Sequence, residues 1–187
     1  MTNPCAEPLS LATLLAYWLG ELDDDAGQQA EEHFFGCAHC SENLDELATL
    51  AGTIRSAFAS GVLTTVISAA FLERMKQRGM KLREYPVSPG GRAYCTITAA
   101  DDAVIARLKA PLADAARLDV LRLDEAGNVN ARHIDVPFDA AAGEVLICPS
   151  ALAVRTMPAY CETMRLVIVD ATGERVLGDY VFDHQPG

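Results

Sequence analysis

The hydrophobic period of this chain changes once, near residues 84–92, and that change constrains the fold more than any other feature. Before it, apolar residues recur at helical intervals: Leu11, Leu14, Leu15, Trp18 and Leu19, then Leu44, Leu47, Ala51, Ile54 and Phe58. Spacings of three and four put such residues on one face of an α-helix, whereas strict alternation puts them on one face of a strand. After the change, short β-branched runs take over. "RAYCTIT", "RLDVLRL", "VNARHIDVPF", "EVLIC", "ALAVRT", "MRLVIVD" and "RVLGDYVF" read as strands. "DDAVIARLKAPLADAA" fits a short helix or a further strand. Asp124 to Gly127 and Asp170 to Gly173 have the spacing of hairpin loops that end on a left-handed glycine. The junction "KLREYPVSPGGR" packs two prolines and two glycines into six residues, the composition of a linker. The expected fold class is multidomain α + β. A helical domain covers residues 1–80, a linker 81–92, and an antiparallel β-sandwich 93–187.

Four helices are expected in the first part. Pro8 suits the first position of one, which weakens at Gly20. Asp23 is a good N-cap for the second, with Asp24 and Asp25 complementing its dipole and Gly36 marking its end. The third starts around Cys40 and breaks near Gly61, and a fourth runs from Val62 to about Arg78. Ser56 to Leu72 carries no charge over seventeen residues, near the lower limit for a membrane span. Its serines and threonines make it amphipathic, and the basic cluster Arg74–Arg83 would orient a span with residues 1–50 on the oxidising side, so no membrane role is expected. Phe58, Val62, Val66 and Phe71 then form a helical stripe suited to a protein partner, with the β-domain or a second copy of the chain (a homodimer) as the other candidates to cover it.

Charge sharpens the partner class. Of the net −11, residues 1–50 contribute ten acids and no Lys or Arg, whereas residues 51–92 carry seven bases against two acids. An acidic front end repels phosphate and attracts a basic protein, so direct nucleic-acid binding is not expected. The start of the chain has no basic stretch ahead of an apolar run, so no secretory signal is expected. The chain shows no nucleophile elbow, phosphate-binding glycine loop or Ser/His/Asp arrangement, and no enzymatic activity is expected.

The remaining motif is "EEHFFGCAHCSENL", in which His33, Cys37 and Cys40 stand at x3 and x2 spacing across the turn between the second and third helices. Thiolate and imidazole are the ligands of tetrahedral structural zinc, and one ion here would pin both helices. A Cys-x-x-Cys alone also fits a redox pair, but no thioredoxin-like strand precedes this one. His39, inside the loop, should point away.

Residues 5 to about 80, and above all "LAYWLGELDDDAGQQAEEHFFGCAHCSENLDELATL", resemble the zinc-binding anti-sigma factors of bacteria. The phrase Tyr17 to Leu22, the acidic helix after it, and His33, Cys37 and Cys40 carry the resemblance. It implies a cytoplasmic helical domain that holds Zn2+ and wraps an ECF-type sigma factor, keeping it from core RNA polymerase. It implies a fourth ligand near Glu7; Cys5, two residues earlier, is the expected donor, with Glu7 or water as alternatives. The resemblance does not extend to the β-rich part. The competing reading is a zinc-stabilised interaction module with a non-sigma partner and a ligand-binding β-domain. Cys95, Cys148 and Cys161 are expected to pack as small hydrophobes, and His133 and His184 stand isolated in the sequence.

Overall fold

The computed structural model describes Cys5, residues 7–61 and residues 63–186. Contacts divide the chain into two units, residues 1–56 and 57–187.

Unit 1 is built from helices with well-formed ends. α1 (Leu11–Leu19) is capped by Ser10, whose Oγ accepts from the Thr13 N–H at 3.0 Å, so Pro8 lies ahead of the helix and not in its first turn. Gly20 closes α1 at φ 69°, a left-handed conformation that glycine adopts without a Cβ penalty. α2 (Asp24–Gly36) starts from Asp23, whose carboxylate accepts from the Ala26 N–H at 2.8 Å. α3 (Ala38–Ala59) follows after a single intervening residue, Cys37. Tyr17 of α1 lies against Phe34 of α2, with ring centroids 5.0 Å apart. Among the described residues of this unit, only Leu14, Ala30 and Cys40 are fully buried apolar side chains.

The fourth helix is shorter than expected and belongs to unit 2. Residues 65–67 form strand β1 (Thr65–Ile67), and α4 (Ala69–Gln77) begins only after Ser68, whose Oγ accepts from the Phe71 N–H at 3.2 Å. The β-branched run Thr64–Ile67 followed by a capping serine accounts for the break. The expected linker is largely β-structure: β2 (Leu82–Val87) and β3 (Arg92–Cys95) flank a tight turn. Pro86 is tolerated because β2 is an edge strand.

The remaining strands are β4 (Ala103–Lys109), β5 (Leu118–Leu123), β6 (Val129–His133), β7 (Glu144–Cys148), β8 (Tyr160–Asp170) and β9 (Gly173–His184). They form two mixed sheets, β1-β7-β4-β2 and β3-β9-β8-β5-β6, not the purely antiparallel arrangement expected. β2 runs parallel to β4, and β3 parallel to β9. A parallel pair needs a crossover, and here β3, lodged in the other sheet, lies on the path from β2 to β4. "ALAVRT", expected as a strand, is helix α5 (Ala151–Thr156): Ser150 caps it and its alanines, leucine and arginine are good helix formers.

One apolar cluster draws on both sheets, with Leu108, Val145 and Ile147 from the first and Leu118, Leu166 and Tyr180 from the second. Leu72 and Met75 of α4 cover the other face of β4 and β7, packing on Ile105 and Leu146. Those two strands are therefore buried on both faces and carry the apolar runs Ala103–Ala106 and Val145–Cys148, with Arg107 and the buried Glu144 as an ion pair. The expected hairpin turns form at Gly127 (φ 82°) and Gly173 (φ 130°). Among the described residues no helix is long and apolar enough to cross a membrane.

Candidate metal centre

The corner between α2 and α3 concentrates donor atoms because the chain turns within one residue. His33 sits in the last turn of α2. Cys37 is extended (φ −128°, ψ 98°), and its carbonyl accepts the Ser41 N–H at 3.2 Å, the first bond of α3. Cys40, three residues on, is in the first turn of that helix. His33 from the last turn of α2 and Cys37 from the residue just beyond it lie on the two sides of that helix end, within reach of Cys40. The Ser41 hydroxyl donates to the carbonyls of Phe34 (2.9 Å) and Cys37 (3.2 Å) and so clamps the corner.

Cys5 completes the set from the segment ahead of α1. The donor atoms of Cys5, His33, Cys37 and Cys40 all lie within 4.8 Å of one another. His33 Nε2 is 3.6 Å from Cys5 Sγ and 3.2 Å from Cys40 Sγ. A tetrahedral ion with zinc-like bond lengths puts N and S ligands about 3.5 Å apart, and S and S about 3.8 Å apart. The donor set therefore has the dimensions and chemistry to hold one metal ion. Glu7 is exposed and outside the cluster, and His39 is exposed, with Nε2 3.4 Å from the Asn43 amide.

The electrostatics favour a thiolate at Cys37. Its thiol is drawn down to about 7, chiefly by the backbone N–H of Cys40 and next by the Cys5 thiol, because its sulfur lies at the start of α3, where N–H groups are free. Cys5 shifts the opposite way, pushed up chiefly by Cys37, since one proton shared between two sulfurs is held by the weaker acid. Cys40 is buried and its sulfur accepts the backbone N–H of Leu9 at 3.4 Å, which anchors the segment between Cys5 and α1.

The expected partner stripe does not form on one helix. Phe58 ends α3 half-buried, Val66 packs from β1 against the unit 2 core, and Phe71 is 45% exposed on α4. Val62 lies outside the described residues. Among the described residues of unit 1, the large exposed apolar side chains are instead Leu11, Leu15 and Leu19 on α1, Phe35 on α2, and Leu50 and Ile54 on α3. Their signal in the sequence is an excess: "LATLLAYWL" is far more apolar than a helix with one buried residue requires. In unit 2, Cys95 and Cys148 are buried as expected, and burial pushes both thiols up to about 11.

No family model matches the chain, and no curated protein matches it. Among solved structures, the N-terminal domain of phage TP901-1 ORF48 aligns at 11% identity and a TM-score of 0.35, covering 57% of this chain and 99% of that one. CopC from Methylosinus trichosporium OB3b aligns at 13% identity and a TM-score of 0.27, covering 66% of this chain and 95% of that one. Likeness this slight carries no argument about either fold or function.

Proposed function

We propose that unit 1 is a zinc-stabilised anti-sigma module that binds an ECF-type sigma factor and occludes the surfaces through which it engages core RNA polymerase. The observation that carries this reading is the convergence of Cys5, His33, Cys37 and Cys40 at one helix–turn–helix corner, on the residues that bear the anti-sigma resemblance. Zn2+ is the ion that best suits three sulfurs and one imidazole in a closed set of four. Its chemistry here is structural: it would fasten the segment before α1 to the junction of α2 and α3.

What this leaves outside supports a protein partner. Leu11 is 70% exposed and Phe35 is 94% exposed. Leu9, Leu11, Leu14, Leu47 and Leu50 line a shallow groove in the same unit, together with Asn43 and Glu46. An apolar face on a segment with ten acids and no Lys or Arg over residues 1–50 suits a partner whose own surface is apolar and basic, and that charge steers such a partner in. Inhibition by occlusion needs no catalytic group.

The test is co-purification from the native host under reducing conditions, with zinc measured in the same sample. The expected result is a one-to-one complex with an ECF-type sigma factor that fails to bind core polymerase. Leu15→Asp and Phe35→Asp change exposed residues, so each should weaken the complex at least tenfold and leave zinc content intact. Zinc-replete protein that recovers no sigma factor would overturn the reading.

A further inference from the structure

Unit 2 contains a cavity that the metal corner does not explain. Along the inner face of the second sheet, three strands switch from apolar to ionisable residues near one end. β5 runs Leu118, Val120, Arg122; β8 runs Leu166, Met164, Glu162; β9 runs Tyr180, Phe182, His184. Register keeps the switch together, since Cys95 and Tyr160 both pair with His184, and Glu162 with Phe182. A buried face gives up apolar packing at such a switch, and nothing in the fold of the strands themselves calls for it.

The side chains there bound a cavity of about 190 Å³, walled by Ile97, Val104, Val154, Met157 and Phe182. Gly61 lines it too: a Cβ at that residue would stand 2.6 Å from the Ala153 Cβ, and its φ of 79° suits glycine. A dry cavity of about 150 Å³ accepts a benzene molecule, so this one has room for a single ring with one small substituent.

The polar groups narrow the chemistry. Arg122 and Glu162 pair with each other, and the Glu162 side chain is only 10% exposed. The cavity therefore offers no unpaired charge to a carboxylate or an amine. His184 is 1% exposed, its ring lies 5.1 Å from that of Tyr160, and neither ring nitrogen has a hydrogen-bond partner among the described residues. A buried imidazole left unpaired is costly, and an unpartnered group of this kind on a cavity wall is one that a bound molecule satisfies. A neutral imidazole supplies one donor and one acceptor.

We propose that this cavity binds a small, uncharged, single-ring molecule carrying one hydroxyl group, with the apolar walls taking the ring and His184 hydrogen-bonding the hydroxyl. The proposal concerns unit 2 alone and stands apart from the sigma-factor reading.

The test titrates the full chain, zinc-loaded, with phenol, benzene, benzoate and benzylamine, following the His184 ring resonances by NMR and heat by calorimetry. Phenol should bind one-to-one and shift those resonances, with benzene about tenfold weaker because it leaves the imidazole unpaired. Both charged probes should bind more weakly than phenol by a similar factor, since the cavity offers them no counter-charge. His184→Phe keeps a ring and removes the unsatisfied nitrogens, so it should fold at least as well; in it phenol should lose its advantage over benzene. The proposal is overturned if saturating phenol leaves the His184 resonances of the native chain unmoved, or if His184→Phe retains the preference for phenol.

Discussion

Chelating the metal from the full chain should melt the helices of unit 1 and leave the sheets of unit 2 standing. Unit 1 has little else to hold it, since among its described residues the fully buried apolar side chains are Leu14, Ala30 and Cys40. Burying a leucine contributes about 1.5–3 kcal/mol, whereas a structural zinc site contributes about 10–16 kcal/mol at neutral pH. Losing the ion therefore removes a larger contribution than losing any one buried side chain of unit 1. α1, α2 and α3 hold 9, 13 and 22 residues, against 9 and 6 for α4 and α5. Ellipticity at 222 nm should therefore fall by roughly half to three-quarters, with part of α3 surviving as an isolated helix. A strong chelator under reducing conditions, with circular dichroism and a zinc assay on the same sample, is the measurement. Cys37→Ser should reproduce the loss without chelator. Undiminished ellipticity after demonstrated loss of the ion would refute the claim that the four donors hold unit 1 together.

Further expectations concern unit 2. Arg107 forks onto Glu144 at 2.7–3.1 Å and also reaches Glu84 at 2.6 Å, and the Glu144 side chain is 7% exposed. Glu144→Ala should cost about 3–5 kcal/mol in urea unfolding, whereas replacing Arg107 and Glu144 together with Met and Leu should cost far less. Asp101 is held at about 2, against 3.8 for a free carboxyl, chiefly by Arg83 and then by the Thr98 N–H. Its folded-state value is depressed, so its contribution is complete above the free value and is lost as pH falls toward 2; Asp101→Asn should flatten the acid limb of a stability–pH profile in that window. Trypsin should spare Arg83 and Arg92, because β2 and β3 are paired along their lengths with β4 and β9; early cleavage at either would contradict that pairing.

The readings that matched the structure rest on local chemistry. Asp23 caps α2 because a carboxylate before an acidic first turn satisfies free N–H groups wherever the chain goes next. The metal corner was legible from spacing, since His33, Cys37 and Cys40 need only a helix, a turn and a helix to meet. Cys5 needed more, because the path from residue 5 to α1 depends on a contact between the Leu9 N–H and Cys40 that no spacing encodes. The misreadings share a cause. Residues 82–87 look like a linker until β4 supplies a partner, and "ALAVRT" looks like a strand until Ser150 is seen to cap it. Residues 62–78 obey a helical period, yet the β-branched stretch pairs with β7 because a neighbour offers it an edge. Arg122, Glu162 and His184 are far apart in the chain, and only the strand register shows that they share one end of a sheet face.

The parallel pairing of β3 with β9 sets two clocks during synthesis. Every residue of the metal corner lies within the first 40 positions, and the helices it joins end by residue 59. Arg92 of β3, by contrast, must wait for Val181 of β9. At about 5–20 residues per second, roughly 6–25 s separate the emergence of residue 60 from that of β9. During that interval unit 1 can already capture an ion, and β5 can pair with β6 and then β8, while β3 and the open edge of β8 wait for β9, the strand that lies between them.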